Sequence, residues 1–328
     1  MCAEITGREI ELGVAVEGTR LTPETEATKW VKKVKATILE KVEIKIDEST
    51  MNTQEDAQNS RVVKKWSEGA LEMNIHADAI GFFLYSLFGT ATPSLIETGV
   101  YSHALIVDTD EIQHPALTLF PKDGAVSQET FATCMISGFD IDIVGDDFCK
   151  FKANFIGGIP ASNSDTPSYD TEYDFVGAEV EFKVAATEGG LAGASETKIK
   201  ELHLSIDTGL IPNHVIGNYY PEDIYNAKFS ITGSIVSDYV DEVYKDAWTA
   251  QTDMYSRITI TGTTLIGATK YASMVITLHK MIVTDWSRDG GNDELVTQNI
   301  AIKGLLNTAD AEAMELTLQN KTATYIPA

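Results

Sequence analysis

Two stretches of this chain, residues 40–89 and 200–248, follow the same pattern, and this internal repeat constrains the possible folds more than any other feature. Each copy begins with a segment in which apolar and polar residues alternate, and the apolar positions match as Val42, Ile44 and Ile46 with Leu202, Leu204 and Ile206. A polar loop, a second alternating segment and a helix-like stretch follow in each copy. Alternation with period 2 is typical of strands that bury one face and wet the other, so the repeat predicts a mainly β fold that is built twice.

The rest of the chain is also rich in alternating segments separated by Gly, Asp, Asn and Ser turns. We expect few helices, at residues 78–88 and 237–248. The matched segments keep their order along the chain: 101–103 resembles 255–257, and 131–137 resembles 271–277. We therefore divide the chain into a first half (1–158), a connector whose extra strand at 178–185 has no counterpart in the repeat (159–197), and a second half (198–328).

The composition limits the possible functions. With 43% hydrophobic and 23% charged residues among 328, the chain can bury a full core. A formal net charge of −24 argues against a protein that grips nucleic acid, because such proteins hold phosphates with Lys and Arg. The same charge suits a surface over which DNA passes without sticking, or simply keeps the protein soluble. The chain shows no apolar run of membrane-spanning length and no signal-peptide pattern, so we expect no membrane association and synthesis in the cytoplasm.

The sequence contains no recognisable catalytic motif. Residues 262–269 have the glycine spacing of a phosphate loop, but Ala268 stands where the lysine is needed. The histidines do not show metal-ligand spacing, and the acidic stretches 145–147 and 285–294 read as hairpin tips rather than calcium loops. Three scattered cysteines favour free thiols. We therefore expect no enzyme activity, no cofactor and no metal.

Two other interpretations stay open on these grounds. A β-sandwich carbohydrate-binding or adhesin module would also be acidic and rich in strands, but it needs exposed aromatic residues clustered on one face, and the tryptophans are scattered. An enzyme with paired carboxylates is the other interpretation, although alternation on an exposed strand explains the first two of its candidates: Asp140, Asp142, Asp146 and Asp147.

The order of these features resembles the tail tube proteins of long-tailed bacterial viruses. The resemblance covers nearly the whole chain and lies in patterns of strands and turns: 12–19, 30–46 with the acidic loop 47–60, 69–75 leading into 84–89, 101–103, 114–120 and 293–298. It implies a β-sandwich or half-barrel flanked by short helices, whose sheet edges join those of neighbouring copies in a ring. It also implies rings stacked into the hollow tail tube of the virion, with the tape measure, tail terminator and distal tail proteins as partners. DNA would pass through the lumen without specific binding.

The repeat and the resemblance together predict the number of chains in a ring. Family members with one tube domain per chain form six-subunit rings, so a chain with two halves implies a homotrimeric ring with pseudo-sixfold symmetry. The wet sides of the repeated strands predict a lumen lined by Glu43, Lys45, Glu72, Asn74, His203, Ser205, Ser230 and Thr232. The polar loops 48–60 and 207–220 are candidates for contacts with the adjacent ring, through Asn52, Gln54, Glu55, Asp56, Asn213, His214 and Asn218.

Overall fold

The computed structural model describes residues 4–49, 54, 56–57, 59–309 and 311–327, and within these residues the regular structure is mainly β, as predicted. The earlier strands are β1 Ile10–Val16, β2 Lys29–Val31, β3 Lys35–Asp47, β4 Asn59–Asn74, β5 Thr92–Glu97, β6 Val100–Ile106, β7 Leu117–Asp123, β8 Ser127–Val144, β9 Lys150–Gly157 and β10 Pro160–Ser162. The later strands are β11 Val180–Ala185, β12 Ile199–Asp207, β13 Ile211–Asn213, β14 Asp223–Tyr225, β15 Ser230–Asp238, β16 Met254–Leu265, β17 Tyr271–Asp289, β18 Thr297–Gly304 and β19 Met314–Asn320. The α-helices are α1 Ile80–Phe88 and α2 Val243–Ala250, and short 3-10 turns occur at Gly177–Glu179 and Glu188–Gly190.

Both expected helices are present, but the second is shorter than predicted. α1 ends at Phe88, because the next residue, Gly89, has a φ of 87° and its N–H bonds to the carbonyl of Tyr85. The prediction of a helix from residue 237 was wrong at its start, because residues 237 and 238 continue β15, in which Ser237 pairs with Gln298 of β18. Pairing across the sheet here overrides the helical spacing of the apolar residues.

The strands of the two halves pair in the same order. In the first half the order is β1-β7-β8-β9-β4-β3, and in the second it is β11-β16-β17-β18-β15-β12, with every pair antiparallel. One further strand follows each series in the chain. In the first half β10 pairs with the long strand β8, and in the second half β19 pairs with the long strand β17. The strand at 178–185 therefore has a counterpart, β1, and the expectation that it stands outside the repeat was wrong.

The long strands β8 and β17 share their irregularities as well. β8 bulges against β7 between Phe131 and Cys134, and β17 bulges against β16 between Leu278 and Met281. A second bulge follows the first at the same number of residues in both strands. It lies opposite β9 in β8 and opposite β18 in β17. Because a bulge bends its strand, β8 and β17 bend at matching places and change neighbours there.

Two glycines occupy the same place in the two halves and fix the register of the repeat. A Cβ on Gly69 of β4 would lie 2.5 Å from the carbonyl oxygen of Thr37 on β3. A Cβ on Gly233 of β15 would lie 2.6 Å from the carbonyl oxygen of His203 on β12. Since each glycine allows the same close approach of the neighbouring backbone, Thr37 corresponds to His203.

This register corrects the match made from the sequence. Leu202 corresponds to Ala36 rather than to Val42, although the correct strands had been matched. A pattern of period 2 looks the same after any even shift, so alternation alone does not say which apolar residue matches which. The end of β3 therefore extends beyond the length of β12. We call this extension the β3 arm: residues 42–47 with their partners 59–65 on β4.

The two halves are joined within one sheet and one core. β12 pairs with the C-terminal part of β8, with Leu202 opposite Ile143, and we call this pairing the internal seam. β19 also pairs with β6. Apolar side chains from both halves form one continuous buried cluster that includes most of α1. Near the C-terminus Tyr325 lies so close to α1 that a Cβ at Gly81 would come within 1.9 Å of its ring, so only glycine fits there.

Candidate functional site: a polar sheet face between two open edges

One face of the sheet is polar across five neighbouring strands from both halves. Directly opposed residues in antiparallel strands point to the same side of the sheet. From β15 through β12, β8 and β9 to β4, the pairing gives two adjacent rows: Thr232–Ser205–Asp140–Lys152–Glu72 and Ser234–His203–Asp142–Lys150–Asn74. Side chains on the other side, such as Leu204, Ile141 and Phe151, are buried. We call this continuous wet surface the polar face.

Most of the residues predicted to line a lumen lie together on the polar face. Five of them are in the two rows, and Ser230 follows in the next row, opposite Asp207. The other two, Glu43 and Lys45, lie on the same side of β3 but farther along, in the β3 arm, where Lys45 Nζ is 2.8 Å from Glu43 Oε1. Their shared surface is thus established by the pairing, whereas its position in a lumen stays a prediction.

The middle of the polar face was not among the residues predicted to line it. From the sequence, Asp140 and Asp142 on β8 are candidates only for catalytic carboxylates, and Lys150 and Lys152 on β9 are not among the predicted site residues. A signal was present, because both pairs have alternating spacing that places two like charges on the wet side of a strand. The face therefore mixes carboxylates and ammonium groups.

The carboxylates considered for catalysis are not gathered in one site. Asp140 accepts a hydrogen bond of 2.6 Å from the Ser205 hydroxyl, whereas Asp147 pairs with Lys150 and Asp146 is exposed. The buried thiols are equally unsuited to chemistry, because burial raises the pKa of Cys149 to about 12. A thiol in this state is inert at neutral pH.

The stretch with phosphate-loop spacing is filled by the chain itself. Glu97, at the end of β5, accepts hydrogen bonds from the backbone N–H groups of Ala268 and Thr269, the latter at 3.1 Å, and from the Thr269 hydroxyl. These donors are the ones a phosphate would need. The turn is therefore a contact between the two halves.

In the described part of the chain, the tryptophans do not form the cluster on one face that a sugar-binding site requires. Trp30 is buried, while Trp248 and Trp286 pack partly buried against the core. Trp66 is half-buried on β4, and its ring N–H bonds to Glu68 at 2.6 Å. The tryptophans thus serve packing and local hydrogen bonding.

The two loops expected to contact another ring are placed differently. In the first, Gln54 and Asp56 are exposed, and Asn52 and Glu55 lie outside the described residues. The second loop folds back on the first half of its own chain, where the Lys65 N–H bonds to the Tyr219 carbonyl at 2.8 Å. It therefore covers the base of the β3 arm.

The candidates in this second loop differ in exposure. Asn213 pairs with Asp223 in the small β13–β14 hairpin, and Asn218 is exposed. His214 is half-buried, and burial together with the nearby Lys64 ammonium group lowers its pKa. Of the three, Asn218 is the most accessible to another copy.

Two edges, at the ends of the strand run β3-β4-β9-β8-β12-β15-β18-β17, have no strand partner among the described residues. β3 pairs with β4 along its length but with no strand on its outer edge. The C-terminal part of β17, from Ile282 to Asp289, pairs only with β18. The corresponding edges inside the chain, those of β12 and the C-terminal part of β8, pair with each other in the internal seam. Unpaired edges present backbone donors and acceptors to any strand that can add to them.

The β3 arm also exposes apolar side chains. Val42, Ile44 and Ile46 are 47%, 55% and 61% exposed, although their alternation had predicted a buried side. That prediction fails for the single chain, because within the described residues the 207–220 loop covers only the base of the arm and no strand or helix covers the rest of this side. Contiguous apolar side chains on an exposed strand mark an interaction surface.

This geometry defines a mainly β protein with a wet sheet face and unpaired strand edges. The family model described as phage tail tube protein matches residues 7–304. The chain therefore belongs to the phage tail tube protein family and is a structural component of the virion tail.

Other comparisons add less. Among solved structures, the chain is similar to the SPP1 tail tube determined by solid-state NMR and cryo EM, with 11% identity over 47% of this chain and 83% of that chain. The TM-score of this match is 0.32. No curated protein matches the chain. Within the described residues, neither helix has the length and apolar character needed to cross a membrane.

Proposed function

We propose that the chain polymerises as stacked rings into the hollow tube through which the phage genome leaves the virion. The internal seam is the observation that carries this proposal. Where the two halves meet, β12 completes the edge of β8, and the two corresponding edges, β3 and the end of β17, are open. One copy can therefore add to the next as its own halves add to each other, and a closed ring pairs both of these edges.

The halves are, in this proposal, two tail tube units that arose by duplication. The common strand order, the matching bulges and the matched glycines support it. The second unit begins with β11 rather than at residue 198, because β11 stands where β1 stands in the first. Each chain then occupies two ring positions. Three chains fill the six positions of a single-domain ring and give a homotrimer with pseudo-sixfold symmetry.

The internal seam supplies a register for the contact between chains. His203 lies opposite Asp142 within the chain, and Asp207 lies opposite Gly138. The matched glycines relate β12 to β3, and the matched bulges relate β8 to β17. The pairs expected between chains are therefore Thr37 with Asp289 and Lys41 with Asp285. The second pair places opposite charges across the contact, which favours this register over its neighbours.

The β3 arm is the candidate for contact with the adjacent ring. Stacking requires a surface that is exposed in the single chain and becomes covered in the tube. The apolar side of the arm, Val42, Ile44 and Ile46, fits this requirement. The loop at its tip, with Gln54 and Asp56, extends the same surface. The second loop, tied to Lys65, supports the arm from its base.

The polar face lines the lumen in this arrangement. Its lysines on β9 lie beside aspartates on β8, so a passing phosphate backbone meets no continuous cationic surface of the kind that holds DNA. The net charge of −24 acts in the same direction. The tape measure protein occupies the lumen before ejection, and the tail terminator and distal tail proteins close the two ends.

Cross-linking across the proposed contact tests both register and ring size. We replace Thr37 and Asp289 by Cys in a Cys2→Ser background and oxidise assembled tubes. Opposed Cα atoms in an antiparallel pair are about 4.5–5.5 Å apart, within reach of a disulfide. A non-reducing gel should show a ladder that ends at three chains.

The matched control places the same pair on the internal seam. His203→Cys with Asp142→Cys should link within one chain and give no ladder. Tubes that yield a ladder beyond three chains would contradict the trimer but not the tube. A protein that shows only discrete monomers by negative-stain electron microscopy, under conditions that assemble other tail tubes, would contradict the tube itself.

A further inference from the structure

A histidine surrounded by carboxylates lies outside the polar face and outside every contact proposed above. His279 on β17 directs Nε2 toward Glu312 Oε2 at 3.3 Å and Glu315 Oε2 at 3.8 Å. Its other ring nitrogen, Nδ1, is 2.9 Å from Glu188 Oε1. One atom from each of His279, Glu312 and Glu315 lies within 4.8 Å of the others. The cluster joins three separate stretches of the second half.

Local structure explains why these residues meet. His279 stands in the bulge of β17, and its backbone N–H bonds to the carbonyl of Ala313 at 3.1 Å, which ties it to the start of β19. Glu315 lies opposite Thr277 across the β17–β19 pair. Glu188 arrives in the 3-10 turn after β11. Sequence spacing gave no sign of the cluster, because its members are far apart in the chain.

The histidine of the cluster is buried, and one of its ring nitrogens lacks a hydrogen bond in the described part of the chain. His279 is only 5% exposed, and its Nε2 is buried without a hydrogen bond among the described residues. Among the described residues, neither Glu188 nor Glu315 forms an ion pair with a Lys or Arg. A buried donor or acceptor without a partner is costly, so a site of this kind favours a further positive ligand.

We propose that this cluster binds a divalent transition-metal cation of the zinc type. His279 Nε2 and one oxygen each of Glu312 and Glu315 would be the protein ligands, at the usual distances of about 2.0–2.2 Å. Glu188 would accept the Nδ1–H bond, which fixes the tautomer that frees Nε2 for the metal. The two ligand carboxylates are partly exposed, so the cation has a path from solvent and water can complete its coordination.

The first half provides an internal comparison. Phe131 and Leu278 occupy the same place in their bulges, so His279 corresponds to Ala132. By the pairing of β10 and β19, Glu315 corresponds to Ala161. Neither alanine can bind a metal, so the site belongs to the second half alone and would occur once per chain.

Titration calorimetry of the full chain with Zn²⁺, after treatment with EDTA, tests the proposal. We expect one Zn²⁺ per chain and a melting temperature that rises with Zn²⁺ concentration. Glu315→Gln, which keeps the size of the side chain, and His279→Ala should abolish this binding. Glu188→Gln should weaken it about 10- to 100-fold without changing the stoichiometry, because it acts only through the histidine.

His203→Ala is the matched control. His203 also has a carboxylate beside one ring nitrogen, since its Nδ1 is 2.6 Å from Asp142 Oδ1. It lies on the polar face, outside this cluster. Zn²⁺ binding should be unchanged in this variant. Circular dichroism confirms folding of each variant. The proposal is overturned if the wild-type chain takes up no Zn²⁺, or if folded Glu315→Gln binds as tightly as the wild type.

Discussion

β3 and β12 are the last strands of the two matched series, but their surroundings in the chain differ. β12 is held between β15 and β8, and its apolar side chains, Leu202, Leu204 and Ile206, are at most 2% exposed. β3 is held by β4 alone and continues into an arm whose apolar side is about half exposed or more. The same strand of the repeat thus has both edges paired in one half and one edge open in the other, and the exposed apolar residues lie in the part of β3 that extends beyond β12.

This difference shows where the single chain is incomplete. The sheet within one chain runs β3-β4-β9-β8-β12-β15-β18-β17, and each inner strand of this run has neighbours on both edges. Only its ends differ from the interior. An assembly that paired those ends would make β3 resemble β12. Mutations that distinguish the two strands therefore test the comparison directly.

The largest expected difference is between a buried and an exposed apolar residue of these strands. Leu204→Ala should lower the free energy of unfolding of the unassembled chain by about 2–5 kcal/mol, because it leaves a cavity in the core. Ile44→Ala, in the arm, should change it by less than about 0.5 kcal/mol. Urea unfolding monitored by fluorescence measures both.

Assembly should respond in the opposite way. Ile44→Ala should slow or prevent tube formation, measured by light scattering and electron microscopy, although the chain stays folded. If Ile44→Ala destabilises the unassembled chain as much as Leu204→Ala, the arm is covered within the chain and the comparison between β3 and β12 fails.

A smaller effect sharpens the match between the halves. Gly69→Ala and Gly233→Ala each bring a Cβ within about 2.6 Å of a neighbouring carbonyl oxygen. Overpacking of this kind costs about 1–3 kcal/mol. The two variants should lose similar amounts of unfolding free energy, measured by the same urea titration. Gly7→Ala controls for the general effect of losing a surface glycine, since a Cβ there meets nothing within 4 Å and the φ of Gly7 is not positive. A large loss in only one of the first two variants would show that the strands are not equivalent.

Much of the fold followed from alternation. Most strands lie close to the segments predicted from period-2 patterns, and the polar side of β4, β12 and β15 is the one expected. What alternation does not contain is register, because an even shift preserves the pattern. Val42 was therefore matched with Leu202 although its strand extends past the repeat. The glycines were better markers, since their position depends on one specific backbone approach.

The candidate site shows a similar limit. The wet faces of single strands were predictable, but their order in the sheet was not. For this reason Asp140, Asp142 and the two lysines of β9 were not recognised as the middle of the polar face. The burial of the arm was predicted wrongly because a single strand does not reveal whether a neighbour belongs to the same chain. The cluster at His279 depends on pairing between β17 and β19 that no local pattern indicates.

The bulges of β8 and β17 offer the last comparison. In the first half, Glu17 is 6% exposed and accepts hydrogen bonds from the Thr133 N–H at 2.5 Å, the Leu21 N–H at 3.1 Å and the Thr118 hydroxyl at 3.2 Å. In the second half, the bulge residue that matches Thr133 is Lys280, and its ammonium group is 2.7 Å from Asp253. Among the described residues, the carboxylate of Glu17 at the first bulge is therefore buried, whereas that of Asp253 at the second is partly exposed.

Burial raises the pKa of Glu17 from 4.5 to about 6. Because the folded state binds this proton more tightly than the unfolded state, the contribution of Glu17 to stability is full below about pH 4.5 and is lost as the pH rises through about 6. The difference between the two values corresponds to about 2 kcal/mol.

Glu17→Gln has no such proton, so its unfolding free energy relative to the wild type should increase by about 2 kcal/mol between pH 4.5 and pH 7. Comparing variant with wild type at each pH cancels the titration of the many other carboxylates, as well as the constant cost of placing an amide N–H near the Leu21 donor. An equal difference at both pH values would mean that Glu17 does not titrate in this range, and the two bulges would then be alike in their response to pH.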